Sequence, residues 1–235
     1  MGRIFETRKA TIMARNDKMA KAFTRIGRDI ALAVKDGGPN PDINPRLRMV
    51  MTNAKGLNMP KDKVEAAIKR ASSKEEGQFE EVNYECYGPH GVAIFIETAT
   101  NNPTRTVANV RSYITRGGGT LGTTGSLSFM FNRVGVYKIP KSSINLDEVE
   151  LDLIDMGAED IQTEGEEIIV YTPYTNFSAM LKKLEEKGIV PTTSELQRIP
   201  TSTKELNDAE LDEIMELIEK IEADDDVQHV FHNLA

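Results

Sequence analysis

The chain has 235 residues, of which 39% are hydrophobic, 28% charged and 6% aromatic, a composition typical of a folded globular protein rather than a disordered one. No apolar run approaches the roughly 18 to 20 residues that a membrane span needs, and the first residues lack the apolar stretch of a secretory signal. A single cysteine, Cys86, excludes an internal disulfide framework and favours a reducing compartment, so we expect a cytoplasmic protein.

The net charge of −8 conceals an uneven distribution along the chain. Residues 1–75 carry 17 Lys and Arg against 8 Asp and Glu, whereas residues 76–235 carry 12 against 29. A basic segment joined to an acidic body is typical of proteins that bind a polyanion through one part of the chain. The sequence therefore predicts a basic binding segment within its first third.

This first third has the periodicity of a small helical domain. Apolar residues recur at every third or fourth position over Met19–Val34, which is the pattern of a helix with one buried face, and GGP then ends that helix. Asn44 supplies the N-cap of a second helix, and Pro60 opens a third. Before Asn16 we expect a short separate helix or a loose arm. Residues 1–75 are thus predicted to form a basic three-helix domain.

After a polar stretch typical of a linker, the period changes to that of strands. Strands are predicted at Val82–Tyr87 and Val92–Thr100, followed by a helix and by a further strand near Ser126–Phe131. Three strands with a single helix cannot bury their apolar face alone. Because the chain ends in a helix and a short strand, we expect residues 79–131 and 205–235 to form one discontinuous α+β domain.

Residues 134–200 follow the order β-α-β-β-α-β, which is that of a ferredoxin-like domain. This domain would be inserted within the discontinuous one. The predicted fold class is therefore α+β: an N-terminal three-helix domain followed by two small α+β domains, one ferredoxin-like and the middle one completed by the C-terminal αβ segment.

The stretch RGGGTLGTTGS, residues 116–126, is rich in glycine and hydroxyl residues, as many phosphate-binding loops are. A Walker-type loop needs its glycines after a strand and before a helix, with a lysine that reaches the phosphate. Here the glycines follow a helix and precede a strand, and no lysine follows them. This order favours a turn, with Gly117 at the helix end and later glycines in left-handed backbone. Contact of the loop hydroxyls with a nucleic-acid backbone is compatible with that interpretation.

No set of residues has the spacing of a catalytic or metal site. His229 and His232 are three apart on a predicted strand, a spacing that suits a metal only on a helix, and no cysteine or carboxylate cluster completes a zinc pattern. Cys86 alternates with its neighbours in a predicted strand, which favours a packed thiol over a nucleophile. We therefore predict that the protein is not an enzyme, and that it has no catalytic residues, no metal and no cofactor.

Cationic residues recur on all the predicted helices of the basic segment. Solvated helix faces often carry such residues without binding anything, but an unbalanced positive charge repels itself unless a polyanion lies nearby. We favour nucleic-acid phosphates as that polyanion, with little readout of base sequence. The predicted nucleic-acid-binding residues are Arg3, Arg8, Lys9, Arg15, Lys18, Lys21, Arg25, Arg28, Arg46, Arg48, Lys55, Lys61 and Lys63.

Several long motifs follow one another in a fixed order over positions 2 to 136. They are GRIFETRK (2–9), KAFTRIGRDI (21–30), NPRLR (44–48), LNMPKDKVEAAIKRA (57–71), YECYGPHGVA (84–93), NNPTRTVANVR (101–111) and GGTLGTTGSLSFMFNRVGV (118–136). In this set the chain resembles the YebC/PmpR family, whose members are described as probable transcriptional regulators and whose mitochondrial relatives are translational activators. The resemblance implies a helical N-terminal domain and two α+β domains, the middle one completed by the C-terminus.

Two motifs depart from the pattern of that family. GRIFETRK stands where the family begins with a stretch resembling GHSKW, and YECYGPHG has Cys86 and His90 at two positions where the family has glycine.

The resemblance implies a DNA-binding transcriptional regulator that acts through its basic N-terminal domain. The same surface bound to RNA within the ribosome would make the protein a translation factor, and the sequence leaves both ligands open. A nucleotide-using enzyme built on the glycine-rich loop is a third alternative, which the order of helix, glycines and strand disfavours. The acidic α+β domains are expected either to contact a protein partner or to shield the basic domain, and no membrane contact is expected.

Overall fold

The structure, a computed structural model, describes residues 3–73 and 79–235, and side chains within those ranges from residue 19 onward. Its first part, called the helical unit here, has three helices. These are α1 (Arg3–Gly37), α2 (Pro45–Gly56) and α3 (Lys61–Ser72). Apolar side chains from all three meet in one core, among them Ile30 of α1, Leu47 of α2 and Val64 of α3. The predicted three-helix arrangement is confirmed.

Asn44 fixes the turn between the first two helices. Its side-chain oxygen accepts a hydrogen bond from the Leu47 N–H at 3.0 Å, which confirms the predicted N-cap. Its side-chain amide donates to the carbonyl oxygens of Ala33 and Gly38 at 2.7 and 2.8 Å, so that it also satisfies the end of α1. A buried asparagine thus closes one helix and begins the next.

The rest of the described chain alternates strands with helices. The elements are β1 (Glu80–Tyr87), β2 (Ala93–Thr100), α4 (Pro103–Arg116), β3 (Thr120–Leu121), β4 (Phe131–Pro140), α5 (Leu146–Met156), β5 (Asp160–Glu164), β6 (Glu167–Pro173), α6 (Phe177–Glu186), β7 (Thr193–Pro200), α7 (Asp208–Glu222) and β8 (Val227–His232). The strands among these elements form two antiparallel four-stranded sheets.

The first sheet, with α4 and α7, makes up what we call the middle unit. Its strand order is β3-β1-β2-β8, so the C-terminal strand pairs with β2 and completes the sheet as predicted. Alternate residues of β1 and β2, such as Tyr84 and Ile96, pack with Ile114 of α4 and Leu217 of α7. The helix α7 therefore covers apolar sheet surface that α4 alone leaves open.

The second sheet, with α5 and α6, has the strand order β5-β6-β4-β7, which is that of a ferredoxin-like fold. Its core contains Tyr137, Leu153, Val170 and Met180. We call this part the ferredoxin-like unit. Each of the three units has its own cluster of buried apolar side chains. We therefore propose that the units are separate domains with the boundaries predicted from the sequence.

Two predicted elements are wrong. The helix α1 is continuous from its first described residue, where a separate helix or an arm was expected before Asn16; its first half has neither Gly nor Pro to interrupt it. The strand predicted at Ser126–Phe131 is a turn, with a 3-10 segment at Ser128–Met130. Its apolar alternation arises because Leu127 and Phe131 are buried under the middle sheet. In the described residues no helix is apolar over enough of its length to cross a bilayer.

Candidate nucleic-acid interface

Arg28, a predicted phosphate ligand, lies on the side of α1 that packs against the middle unit. Its guanidinium donates to a carboxylate oxygen of Asp226 at 2.8 Å, to the carbonyl oxygen of Ala99 at 3.1 Å and to the carbonyl oxygen of Asp225. The side chains of Arg28 and Asp226 are only 14% and 3% exposed. The predicted phosphate-binding residues of α1 therefore include one that holds the helical unit on the middle unit.

Asp226 is the centre of a buried polar cluster. One carboxylate oxygen accepts hydrogen bonds from Arg105 at 2.8 Å, Thr106 at 2.7 Å and Thr100 at 3.2 Å. Burial by itself would raise the pKa of Asp226, but the hydrogen bonds from Arg105 and Thr106 and the charges of Arg28 and Arg105 lower it below its ordinary value. The ionised carboxylate thus joins α1, α4 and the turn before β8.

Three other predicted arginines also have partners within the chain. Arg46 lies between two carboxylates, Asp36 at 2.5 Å and Glu81 of the middle unit. Arg48 donates to two carbonyl groups of the turn before α2, at 2.8 and 3.0 Å, and Arg25 donates to a carbonyl group at the end of α7, at 3.1 Å. Their phosphate contacts stay a prediction, and the structure gives each of them an intramolecular role.

Those predicted lysines whose side chains the structure describes, in contrast, extend into solvent. Lys55 lies in the last turn of α2, and Lys61 and Lys63 lie in the first turn of α3, so all three flank one interhelical turn. Lys61 is 89% exposed and 3.6 Å from the carboxylate of Glu65. The Lys63 ammonium lies 5.6 Å from the centre of the Phe23 ring, which places this turn beside α1. We call Lys55, Lys61 and Lys63 the lysine edge.

The remaining predicted cations lie on α1. Lys21 is exposed beside Arg25 and the turn between α7 and β8. Five others lie on the first half of the helix, and their side chains fall outside the described residues. They are Arg3, Arg8, Lys9, Arg15 and Lys18. A helix of 35 residues is about 52 Å long at 1.5 Å per residue.

A contact that the sequence analysis missed ties α2 to the ferredoxin-like unit. The side-chain amide of Asn53 donates to the Ser194 carbonyl oxygen, and its oxygen accepts from the Ser194 N–H, both at 2.8 Å. Three residues along, Gly56 approaches Thr192 so closely that a Cβ would collide with its carbonyl oxygen. The Gly in the last turn of α2 was the available signal, since close backbone approach needs a residue without a side chain.

The glycine-rich stretch folds over the side chain of Glu85, which lies on β1 and is 5% exposed. The N–H groups of Gly125 and Leu127 donate to the two carboxylate oxygens at 2.7 and 2.5 Å, and the Gly122 N–H donates to the Glu85 carbonyl oxygen at 2.7 Å. The turn prediction is confirmed, with Gly118 and Gly125 at positive φ. The amides of this turn bind an anion, and the anion belongs to the chain itself.

Asp29 lies next to Arg28 on α1, and its surroundings disfavour the ionised form of its carboxyl group. Burial raises its pKa from 3.8 to about 6; the charges of His229 and Arg46 oppose this rise, and those of Glu81 and Glu97 add to it. A carboxyl group with this pKa is placed at the contact between the helical and middle units, where it makes folding sensitive to pH.

Cys86 and His90 stand where the family motif has glycine, and each is accommodated by the contacts around it. Burial raises the pKa of the Cys86 thiol to about 12, which agrees with the predicted packed thiol. His90 has a φ of 58°, so a histidine occupies the left-handed position, and its ring lies 2.9 Å from Glu213 and 3.5 Å from Glu210. Among the described side chains, no group of three or more His, Cys, Asp or Glu is arranged to hold a metal ion.

Known proteins match this chain along its described length. A family model described as the TACO1/YebC protein N-terminal domain matches residues 3–74, and one described as the TACO1/YebC second and third domain matches residues 79–234. A protein of Cytophaga hutchinsonii named probable transcriptional regulatory protein is 54% identical over 235 residues, which cover 100% of this chain and 99% of that protein. A Flavobacterium johnsoniae protein of the same name is 52% identical over 234 residues, with 100% and 99% coverage. The crystal structure of a conserved hypothetical protein from Aquifex aeolicus superposes with a TM-score of 0.81 at 36% identity, covering 92% of this chain and 90% of that one.

Proposed function

The chain belongs to the TACO1/YebC family, and on this premise we propose that it is a non-enzymatic regulator that binds nucleic acid through its helical unit. The relatives named probable transcriptional regulatory proteins support a regulatory role and make DNA the first ligand to test. The single, buried Cys86 supports a cytoplasmic location, since such a thiol persists in a reducing compartment.

This proposal rests on a difference between arginines and lysines of the helical unit. Arg28 and Arg46 neutralise carboxylates of the middle unit, whereas the lysine edge presents its charges to solvent. The ion pair of Lys61 with Glu65 and the contact of Lys63 with Phe23 lie at the surface and add little to fold stability, so they do not explain why three lysines cluster at one turn. Exposed lysines suit phosphates, which they contact as flexible point charges without reading sequence. We therefore assign phosphate binding to the lysine edge together with Lys21.

The test is the salt dependence of binding to a duplex DNA, measured by fluorescence anisotropy. Each phosphate contact contributes about 0.9 to the slope of log affinity against log salt concentration. Combined replacement of Lys55, Lys61 and Lys63 by Ala is expected to reduce that slope by about 2.7. The matched control replaces three exposed lysines of the other units by Ala and is expected to leave the slope unchanged. These are Lys182, Lys187 and Lys220.

Equal slopes for the wild type and the lysine-edge variant would overturn this assignment. The arginines are unsuitable for the same test, because replacing Arg28 or Arg46 also breaks contacts between units. A parallel titration with a ribosomal RNA helix decides between the two ligands: tighter binding to the RNA at equal salt would identify a translation factor that uses the same surface. No binding to either nucleic acid at low ionic strength would end the proposal.

A further inference from the structure

Among the described strands, three of the four sheet edges are protected against pairing with another chain. The edge strand β3 is only two residues long. The edge strand β5 ends in Glu164 and carries Asp160, whose carboxylate accepts the N–H of Ile161 at 2.9 Å. The Ser194 backbone of β7 is bonded to Asn53 of α2. Short strands, charged side chains and cover by another element are the usual means by which proteins block their sheet edges.

The fourth edge is β8, whose sequence VQHVFH contains no Asp, Glu, Lys, Arg or Pro. The Asn233 N–H donates to the Ala93 carbonyl oxygen, so alternate residues counted back from Asn233, such as Phe231, direct their backbone groups toward β2. The backbone N–H and C=O groups of Val230 and His232 therefore point away from the sheet. No hydrogen bond among the described residues joins these groups to another part of the chain.

The same strand carries polar side-chain atoms without partners. Among the described side chains, four buried nitrogen or oxygen atoms have no hydrogen-bond partner, and three of them belong to Gln228 and His232. Gln228 is only 5% exposed, and both polar atoms of its amide are in this group. Buried polar groups in native proteins are almost always bonded. Their concentration on the one unprotected edge strand of the described chain indicates that a polar partner belongs there.

The helix α7 lies over β8 and presents apolar side chains on the side of that edge. The helix α4 lies over β1 and β3, and Leu217 of α7 faces Gly117 at the end of α4. At about 3.6 residues per turn, Leu211 and Met215 lie on the side of α7 turned away from Leu217, which is the side of the β8 edge. They are 39% and 38% exposed, and Leu211 lines a cavity of about 200 Å³ together with Leu234, which follows β8. Uncovered apolar surface thus adjoins the open backbone of β8.

Carboxylates on the same side of α7 indicate the charge of a partner. Asp208, Asp212 and Glu219 lie three or four residues from Leu211 or Met215, so they share one stripe of the helix. Among the described contacts, none of the three forms an ion pair. A second copy of this chain would bring a like-charged α7 beside this stripe, which opposes self-pairing through β8. A segment with Lys or Arg would instead meet opposite charge.

We propose that β8 binds an extended segment of a partner protein as a fifth strand of the middle sheet, and that this segment combines apolar residues with Lys or Arg. Strand addition of this kind takes its affinity from main-chain hydrogen bonds and its specificity from alternate side chains. The backbone of the segment bonds to Val230 and His232, and its side chains on the α7 side meet Met215 and the carboxylates beside it. This surface includes none of the lysine edge, so the inference goes beyond the proposed function and does not depend on it.

The test selects phage-displayed random ten-residue peptides on the immobilised full-length protein and measures the affinity of the enriched peptides by fluorescence anisotropy. We expect peptides that combine β-branched residues with Lys or Arg. N-methylation of alternate backbone nitrogens should weaken binding at least about tenfold for the set that faces β8 and leave it unchanged for the other set. In NMR hydrogen exchange, the bound peptide should slow the amides of Val230 and His232 but not that of Phe231, which already bonds to β2.

Charge variants test the second half of the proposal. Combined Asp212→Lys and Glu219→Lys should weaken peptide binding about tenfold. The matched control is the combination of Glu150→Lys and Asp155→Lys, two exposed carboxylates on α5, which should leave the affinity unchanged. Binding of duplex DNA through the lysine edge should be the same in both variants as in the wild type.

The outcomes separate this inference from the proposed function. Enrichment of no peptide, slowed exchange only at amides away from β8, or equal effects of the two N-methylated sets would overturn strand addition. Equal affinities of the α7 and α5 charge variants would overturn the basic character of the segment. If the protein alone sediments as a dimer and its Val230 and His232 amides are already protected, a second copy occupies the edge and the proposal is overturned. Failure of the protein to bind DNA would leave the peptide results unaffected.

Discussion

Arg28 and Asp29 are neighbours on α1 and face the same unit, but Arg28 has a carboxylate partner there, whereas the surroundings of Asp29 disfavour its ionised form. Arg28 meets the carboxylate of Asp226, whose pKa is lowered by the partners around it. Burial, together with the charges of Glu81 and Glu97, raises the pKa of Asp29 to about 6 against the opposing charges of His229 and Arg46. The contact between the helical and middle units therefore contains one charge that stabilises it and one that opposes it, and the two respond differently to pH.

We expect Asp226→Asn to destabilise the protein by about 2 to 3 kcal/mol at neutral pH, because the two arginines that converge on this carboxylate lose their counter-charge. Since the folded-state pKa of Asp226 is lowered, its contribution is present above the ordinary value of about 3.9 and is lost as the pH falls through the folded-state pKa. The difference between variant and wild type in the free energy of unfolding should therefore shrink in acid. Urea denaturation at several pH values measures it.

Asp225→Asn is the matched control, because Asp225 contributes its carbonyl oxygen rather than its exposed carboxylate to Arg28. A loss of stability in Asp225→Asn as large as in Asp226→Asn would contradict the assigned role. So would a difference that stays constant across the acid range.

The contact of Asn53 with Ser194 gives a second prediction. The strand β7 is an edge of its sheet, and Asn53 supplies both hydrogen bonds that the Ser194 backbone would otherwise make to another strand. Asn53→Ala should cost about 1 to 3 kcal/mol and should speed exchange of the Ser194 amide hydrogen. Hydrogen exchange followed by mass spectrometry or NMR tests this. Asn132→Ala, at an exposed position on β4, serves as control, and unchanged protection at Ser194 would sink the prediction.

Local periodicity predicted the helices and the ferredoxin-like order, because each depends on residues close together in the sequence. The discontinuous sheet joins distant strands, and it was predicted because three strands with a single helix cannot bury their apolar face alone. The contacts between units could not be predicted in either way. Arg28 and Asp226 are 198 positions apart, and nothing in the spacing of the cationic residues on α1 shows that one of them faces another unit. The recurrence of these residues predicted binding to a polyanion, whereas the structure has Arg28 in an intramolecular contact.

The glycine-rich stretch shows the same division between local and non-local information. The order of helix, glycines and strand was enough to predict a turn. The position of the third strand was not predictable, since Thr120 and Leu121 become a strand only by pairing with Tyr87 and Cys86. The alternating SLSFMF looked like a strand because two of its apolar residues, Leu127 and Phe131, are buried against the middle sheet.

A third prediction concerns Glu85, whose carboxylate organises that turn. Glu85→Ala removes the acceptor for the Gly125 and Leu127 N–H groups, and hydrogen bonds to a charged group contribute about 1.5 to 3 kcal/mol. We expect a loss of stability in that range and faster protease cleavage within residues 122–126. Glu85→Gln keeps the shape but has a single acceptor oxygen, so its effect should be intermediate. Glu164→Gln, at an exposed position, should have no effect; equal cleavage of the loop in all variants would contradict the prediction.

The fourth prediction follows from the raised pKa of Asp29. Because the folded protein binds this proton more tightly than the unfolded chain, ionised Asp29 lowers stability, and stability falls as the pH rises from about 4 to about 6. Asp29→Asn stays neutral at every pH, so it should stabilise the protein at neutral pH by about 1 kcal/mol, after allowance for the partial exposure of this side chain. That advantage should decline as the pH falls from about 6 to about 4. Urea denaturation across this range tests it, with the exposed Asp155→Asn as control. An NMR titration that places the Asp29 carboxyl near its ordinary value of about 3.9 would refute the argument at its source.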